Sequence, residues 1–297
     1  YNIQFDGHRP RFIDLLSIQP YAEGEPWFGY RQFCEQFLNP MLLTARLGIP
    51  HHAWYRGSLE GIPAVDLAPM LRLRDRLDWR IFSHVILQAR LQRASQTDPT
   101  RSSTSARRIK LSRNGYRAIL TQLRDWISRL TTRHTGKTTW ADYAQSNTYS
   151  GNEYIEKRAA IAEFCGRTQP DLLWDIGCNT GDFSAVALQS GARQCIGFDA
   201  DQGALDQAYA RAKSQSLNFL PLYQDLANPS PSQGWDEAER PGVQARRGAD
   251  ALLALAIIHH LAIGRNVPLP DAVRWLVSLA PQGVIEFVPK TDPTVRM

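Results

Sequence analysis

From residue 172 onward, apolar segments of strand length alternate with segments of helix length. The predicted strands are 172–177, 194–200, 218–223, 251–258 and 284–288, and the predicted helices are 182–190, 202–214 and 271–279. Segments that alternate in this way form βαβ units, in which helices cover both faces of a parallel sheet. The sequence therefore predicts an α/β fold for this part of the chain.

The part of the chain before residue 140 has a different pattern. Two apolar, β-rich segments flank turn residues at 6–10 and predict a β-hairpin, and helical apolar spacing follows in 27–38, 66–95 and 113–131. Small and polar residues at 94–106 predict an exposed linker. We therefore expect a mostly helical N-terminal region, 1–139, that serves as a substrate, lid or partner region, and a second domain at 140–297.

Positive charge is concentrated in the N-terminal part. Residues 1–140 carry 21 Lys and Arg against 11 Asp and Glu, a net +10, whereas the remaining residues carry 13 against 18, a net −5. Most of the excess lies in 90–137. This basic segment either binds an anionic partner, such as RNA, an acidic glycan or a lipid headgroup, or forms a solvated helix face.

Composition excludes several classes of protein. No apolar segment has the length of a membrane-spanning helix, and the first residues do not have the pattern of a signal peptide. Cysteines occur at 34, 165, 178 and 195 without Cys-x-x-Cys spacing, and no His cluster has zinc-ligand spacing, so we expect neither a disulfide framework nor a metal site. Unpaired cysteines favour a cytoplasmic location, while the oligomeric state is left open.

A glycine-containing loop, 177–181, follows the first predicted strand and opens a helix. Gly177 and Gly181 permit a tight turn and a close approach between the backbone and a ligand, and the amino end of the helix offers N–H groups to that ligand. Asp199 ends the next strand, where an acidic side chain accepts hydrogen bonds from the ribose of an adenosine-type cofactor. The alternative is an ordinary strand-to-helix turn.

The spacing of this loop disfavours a nicotinamide cofactor. Asn179 stands where the middle glycine of G-x-G-x-x-G is expected, and the carboxylate of Asp175 would repel a pyrophosphate. A cationic cofactor that has a ribose but no phosphate, such as S-adenosyl-L-methionine (SAM), fits these residues better.

The segments DIGCNTG, GFDAD and LYQDL, in this order, resemble the class I SAM-dependent methyltransferases. The resemblance covers about residues 140–290 and implies a Rossmann-like sheet, SAM as the cofactor and methyl transfer as the activity. Because the chain ends soon after the fifth predicted strand, we expect a sheet that lacks its last strands. The positions that match the cofactor-binding residues of the family are Asp175, Gly177 and Gly181 for the methionine part, Asp199 for the ribose, and Asp225 and Leu226 for the adenine. Asn179, in the same loop, departs from the glycine that is commonest in the family and is kept as a candidate cofactor-binding residue, because many members have Asn there.

The N-terminal segments 1–21 and 23–43 are similar to a bacterial group of methyltransferases, the NoeA-like nodulation proteins. This group continues with the pattern R-x-x-D-x-x-L-x-L-x-x-x-HH-L, which this chain matches at Arg247, Asp250, Leu253, Leu255, His259, His260 and Leu261. The resemblance also implies that residues are missing at both ends.

Two histidines are the candidates for the reaction itself. His259 and His260 end the fourth predicted strand, on the edge of a parallel sheet where ligands bind. A neutral imidazole can take a proton from a hydroxyl, so we predict His260 as the base or substrate-orienting residue and His259 as the second candidate. The alternative is that both only cap the strand end.

Two further positions complete the candidate site. Among the aromatic residues that precede the first strand, Tyr149 is the predicted contact of a sulfonium group, because aromatic faces attract cations. Glu286 lies within the fifth predicted strand, which favours a structural role.

We therefore expect a SAM-dependent methyltransferase whose acceptor is a hydroxyl of a small molecule or saccharide. Two alternatives remain, an RNA methyltransferase that uses the basic segment 90–137 and a non-catalytic SAM-binding scaffold protein.

Overall fold

The computed structural model describes residues 2–25, 27–97, 112–131, 151–246 and 248–289. The chain divides into two units, one of Leu16–Gly136 and one that combines Tyr1–Leu15 with Lys137–Met297. The predicted domain boundary at 139/140, the aromatic residue Tyr149 and most of the predicted linker lie outside the described residues.

The predicted hairpin is present at the start of the chain. Strands β1 (Ile3–Asp6) and β2 (Arg9–Phe12) pair in antiparallel orientation. Gly7 lies in the turn with a φ of 55°, a conformation that glycine adopts without a steric penalty. The ring of His8 is within hydrogen-bond distance of the Leu217 carbonyl (2.9 Å). This contact attaches the hairpin to the rest of its unit, which contains the large sheet.

Five parallel strands form that sheet, in the order β5-β4-β3-β6-β7. Their bounds are Leu172–Ile176 (β3), Gln194–Asp199 (β4), Phe219–Tyr223 (β5), Ala251–Ala254 (β6) and Gly283–Ile285 (β7). The longer helices of this unit are Gly151–Thr168, Asp182–Gln189, Gln202–Ser214 and Leu269–Val277, and shorter helical turns lie at Trp235–Glu237, Gln244–Arg246 and His260–Gly264.

Successive strand residues face two apolar clusters on opposite sides of the sheet. Leu173 belongs to the cluster that contains Ile161 of the helix Gly151–Thr168. The next residue, Trp174, belongs to the cluster that contains Leu276 of the helix Leu269–Val277. Because side chains alternate along a strand, this division buries both faces of the sheet. The predicted Rossmann-like α/β fold is confirmed.

Two strands end three or four residues before their predicted ends. The predicted strand 251–258 ends at Ala254, because Ala256 has a φ of 50°, which an extended strand cannot contain. The predicted strand 284–288 is observed as β7, which leaves Glu286 beyond the strand end. The shortening of β7 moves Glu286 onto the loop at its carboxyl end, whereas the residues that follow β6, 255–258, are apolar.

Strand β5 lies at one edge of the sheet and contains Pro221. Proline has no backbone N–H to donate to a neighbouring strand. An edge strand tolerates this because one of its sides has no partner strand. In the register of the pair, Pro221 lies opposite Gly197 of β4.

The other unit, Leu16–Gly136, consists of helices around one apolar core, which includes Leu38, Leu42, Ile62, Leu67 and Trp126. Its α-helices are Tyr30–Phe33, Asn39–Leu42, His52–Gly57, Ala64–Met70, Leu73–Arg76, Trp79–Ile81, Leu87–Thr97 and Arg113–Ile127. Cys34–Leu38, Leu43–Leu47 and Phe82–Ile86 are π-helical, and Leu15–Ser17 is a 3₁₀ turn.

The structure interrupts the helix predicted at 66–95. Leu71 and Arg72 have extended ψ angles of 135° and 156°, so one helix ends at Met70 and the next begins at Leu73. The prediction at 113–131 is confirmed as a single helix, Arg113–Ile127, with Ser112 as its N-cap. Within the described residues, no helix is both long and apolar enough to cross a membrane.

Gly197 tests how tightly the centre of the sheet is packed. A Cβ atom at this position would lie 2.7 Å from both Cys178 Sγ and Phe219 Cε2. We expect Gly197→Ala to lower the free energy of unfolding by about 1–3 kcal/mol, because both neighbours are buried and must shift. Urea denaturation measures this change.

The matched control is Gly264→Ala in the same unit, where a Cβ atom would meet nothing within 4 Å. Its expected effect is within about 0.5 kcal/mol. Equal stability of the two variants would contradict the packing described for Gly197.

Candidate functional site

The loop between β3 and the helix Asp182–Gln189 is held in place by hydrogen bonds from its backbone amides to β4. Gly177 and Gly181 have φ angles of 81° and 73°, and Asn179 also has a positive φ of 48°. The amides of Gly177 and Cys178 both donate to the Phe198 carbonyl, at 2.8 and 3.0 Å. Several loop amides are thus used within the protein, so the side chains around the loop carry most of the information about a ligand.

The two glycines of this loop are also explained by packing. A Cβ atom at Gly181 would lie 2.4 Å from Phe219 Cε1, and one at Gly177 would lie 3.2 Å from Ile257 Cδ1. Ile257 belongs to the segment that follows β6. The contact at Gly177 therefore brings the segment that follows β6 against the glycine loop.

Asp199, the last residue of β4, joins the loops of two adjacent strands. Its Oδ2 accepts a hydrogen bond from the amide of Asn179, and its Oδ1 accepts one from the amide of Asp201, both at 2.8 Å. Burial raises the pKa of Asp199, while these amide hydrogen bonds lower it. The structure thus brings the predicted ribose-binding acid into direct contact with the glycine loop.

Asp175 lies in β3, below the loop, and is 2% exposed. The hydroxyl of Ser184 donates to its Oδ2 at 2.5 Å. Burial raises the pKa of Asp175 to about 7, and the negative charge of Asp199 acts in the same direction. This carboxyl therefore exchanges its proton near neutral pH, where a nearby cation would favour the charged form.

Asp225 follows β5 and is also engaged on both oxygens. Its Oδ1 accepts from the amide of Ala227 at 3.0 Å, and its Oδ2 accepts from Arg265 at 2.7 Å. Leu226 is half-buried and packs against the apolar cluster that contains Trp174. Sequence reasoning missed Arg265, because nothing in the pattern connects it to an acid 40 residues earlier.

His259 and His260 do not end a strand, contrary to the prediction. They lie in a helical turn that follows β6, after the break at Ala256. Their rings are 4.0 Å apart between centroids and both residues are half-buried. Burial, reinforced by His259, lowers the pKa of His260 to about 4, so this imidazole is neutral at pH 7.

The helix Gly151–Thr168 is attached to the start of the helix Asp182–Gln189 by polar contacts that the sequence did not reveal. The Tyr154 hydroxyl donates to Asp182 Oδ2, and Arg158 lies 3.6 Å from the same oxygen. Arg211 approaches the other Asp182 oxygen at 3.2 Å. These contacts give Tyr154 a structural role.

The pattern that leads to the two histidines also contains residues of the opposite sheet edge. Asp250 Oδ2 accepts from the amide of Leu172, at the start of β3, at 2.8 Å. Arg247 lies outside the described residues. The pattern therefore contains Asp250, which links the starts of β3 and β6, and the two histidines, which follow the carboxyl end of β6.

The pKa of His260 makes a prediction for stability. It lies at about 4 in the folded protein and at 6.5 for the ordinary side chain, so the unfolded chain binds more protons between these pH values. The free energy of unfolding should therefore decrease as the pH falls from 6.5 to 4. We expect His260→Gln to reduce this decrease, as measured by urea denaturation at pH 8 and pH 5. A variant whose stability falls as steeply as that of the wild type would contradict the assignment.

Likeness to solved structures is partial, and no protein-family model matches the chain. The methyltransferase domain of bacterial CtHen1 covers 43% of this chain and 62% of its own at 17% identity, with a TM-score of 0.33. Monomeric WbdD covers 57% of this chain and 39% of its own at 16% identity, with a TM-score of 0.35. An O-methyltransferase family protein from Burkholderia thailandensis covers 43% and 35% at 10% identity, with a TM-score of 0.34.

Similarity in sequence is much higher to one curated protein, the nodulation protein NoeA of Rhizobium meliloti (strain 1021). The two are 51% identical over 298 residues, which include 100% of this chain. The chain spans 62% of the length of that relative. Over its whole length, the chain is a homologue of nodulation protein NoeA.

Proposed function

We propose that this chain is a SAM-dependent methyltransferase. The observation that carries the proposal is the placement of Asp175, Asp199 and Asp225 at the carboxyl ends of three adjacent strands, with Asp199 hydrogen-bonded to the glycine loop. Carboxylates in this arrangement suit a ligand that has hydroxyl groups and positive charge, and they disfavour a pyrophosphate. When bound, SAM supplies a methyl group on a positively charged sulfur.

Each acid has a role in this proposal. Asp199 accepts hydrogen bonds from the ribose hydroxyls, and Asp225 accepts one from the adenine amino group, with Leu226 beside the ring. Arg265 keeps the Asp225 carboxylate oriented through its contact at 2.7 Å. Gly177, Asn179 and Gly181 shape the loop that surrounds the methionine part, and Tyr149 is the proposed aromatic contact of the sulfonium group.

The proposed acceptor is a hydroxyl of a small molecule or saccharide, positioned by His260. Its low pKa keeps His260 neutral at pH 7, so a ring nitrogen is able to accept a hydrogen bond from the hydroxyl. The same low pKa makes His260 a weak base, which favours orientation of the acceptor over complete proton removal. His259 supports this ring from a centroid distance of 4.0 Å.

Cofactor binding tests the proposal most directly. We expect titration calorimetry to detect binding of SAM and S-adenosyl-L-homocysteine by the wild type. We expect Asp199→Asn to weaken both affinities at least about tenfold, because the ribose loses a charged acceptor. Transfer of a tritiated methyl group to extract separated into RNA, protein, glycan and small-molecule fractions then identifies the acceptor class.

Asp171→Asn is the matched control for this substitution. Asp171 forms an exposed ion pair with Arg193 (2.9 Å) and precedes β3, on the opposite edge of the same sheet. Its affinity for both compounds should equal that of the wild type. Absence of binding by the wild type, or equal affinities of Asp199→Asn and Asp171→Asn, would refute the proposed cofactor site.

Asp175 predicts proton release when the cofactor binds. Its pKa of about 7 means that part of the population is protonated at pH 6.5, and a bound cation should favour the charged carboxylate. Binding should therefore release protons at pH 6.5, and the affinity should rise between pH 6 and 8. Calorimetry in two buffers of different ionisation enthalpy measures the release.

The variant Asp175→Asn removes the titrating group and keeps its shape. We expect it to lose most of the proton release and of the pH dependence of binding. A wild type that binds the cofactor without proton release would show that Asp175 does not sense the cation.

A further inference from the structure

Lys157 and Glu286 form an ion pair that the proposed site has not used. Lys157 Nζ lies 2.6 Å from Glu286 Oε1, and the side chains are only 16% and 20% exposed. Lys157 belongs to the helix Gly151–Thr168, and Glu286 follows the last residue of β7. Charges removed from water in this way cost free energy unless they are well paired, so the position of this pair in the fold is informative.

The register of the sheet places Glu286 on the same edge as the glycine loop. Ile285 pairs with Ala254, and the amide of Glu286 donates to the Ala254 carbonyl at 3.0 Å. Since Leu253 pairs with Asp175, Ala254 is level with the end of β3, and Glu286 is level with Gly177. With strands about 4.8 Å apart, Glu286 lies two strands from the glycine loop, on the side away from Asp199.

The helix that carries Lys157 also reaches this edge. Tyr154 and Arg158, which flank Lys157 in the helix, contact Asp182 at the end of the glycine loop. Lys157 is therefore held beside the proposed cofactor site by two neighbours on its own helix. This arrangement places the ion pair at the same end of the sheet as the proposed site, on its β7 side.

One oxygen of the Glu286 carboxylate accepts no hydrogen bond from the described residues. Oε1 faces Lys157, whereas Oε2 is buried and has no hydrogen-bond partner among those residues. A buried acceptor without a partner is costly and uncommon in native proteins. An ionised carboxylate oxygen accepts strong hydrogen bonds from hydroxyl groups.

We infer that Glu286 binds the acceptor substrate by accepting a hydrogen bond from one of its hydroxyl groups. Lys157 acts as a positioning residue that orients the Glu286 carboxylate. The inference rests on the proposed function and restricts the acceptor, because a carboxylate repels a phosphate or carboxylate at the same point. The acceptor therefore presents a neutral, hydroxylated surface to the β7 side of the site and has a second hydroxyl besides the one held by His260.

The test compares Glu286→Gln, Lys157→Met and the double variant with the wild type. The acceptor probe is the extract fraction that the wild type labels with tritiated methyl. For Glu286→Gln we expect the labelling rate to fall at least about tenfold, as for loss of a hydrogen bond to a charged group. The affinity for S-adenosyl-L-homocysteine should stay within about threefold of the wild-type value, which is less than the loss of one hydrogen bond.

A binding measurement separates this role from a structural one. With S-adenosyl-L-homocysteine present, the same extract fraction, before any methyl transfer, should raise the melting temperature of the wild type but not that of Glu286→Gln. If the ion pair is only structural, each single variant should have a lower melting temperature, and the double variant, in which no charge is left alone, should regain the wild-type value. A double variant that also regains the wild-type labelling rate would overturn the inference.

Asp271→Asn is the control, because Asp271 forms an exposed ion pair with Arg274 on the helix Leu269–Val277. Its labelling rate and melting temperature should match those of the wild type. Wild-type labelling that is retained in Glu286→Gln would refute the role of Glu286 alone. A wild type that neither binds SAM nor labels any fraction would refute the proposed function, and the inference with it.

Discussion

Two backbone amides from two different loops donate to the carboxylate of Asp199. One belongs to Asn179, after β3, and the other to Asp201, at the start of the helix Gln202–Ser214. The carbonyl of Asp199 accepts a third hydrogen bond, from Gln224 at the end of β5. A single residue thereby links the carboxyl ends of three neighbouring strands, the ends at which Asp175 and Asp225 also lie.

The same residue shows which contacts of the candidate site local sequence patterns could predict, while cofactor binding there stays a prediction. A buried strand, a glycine loop and an acid at the next strand end are local patterns, and the structure assembles them as expected. The pairing of Asp225 with Arg265 could not be predicted, since it joins residues 40 positions apart. Nor could the end of β7 at Ile285, before Glu286, because the apolar pattern of the segment continues through Phe287 and Val288.

Glycines illustrate a second limit of sequence reasoning. Gly181 was singled out for a ligand, yet the ring of Phe219 already excludes any side chain there. Phe219 is fully buried and also approaches Gly197, so one aromatic residue requires two glycines on different elements. A motif glycine can thus serve the core and the loop at once, and the pattern alone does not separate these roles.

The helical unit shows how apolar spacing predicts helices without predicting their interruptions. The pattern at 66–95 continues across Leu71 and Arg72, although their extended backbone ends the helix. The π-helical turn Phe82–Ile86 contains His84, whose ring is 2.5 Å from the Tyr30 hydroxyl. Such turns shift the faces of a helix, so a regular period of 3.6 residues does not describe which side chains become buried.

The proline in β5 has a consequence for behaviour at high protein concentration. The outer edge of a sheet offers unpaired peptide groups on which a strand from another molecule is able to assemble. Pro221 interrupts that edge in the middle of the five-residue strand Phe219–Tyr223, where no N–H is available. Pro221 therefore disfavours the addition of a further strand at the β5 edge of the sheet.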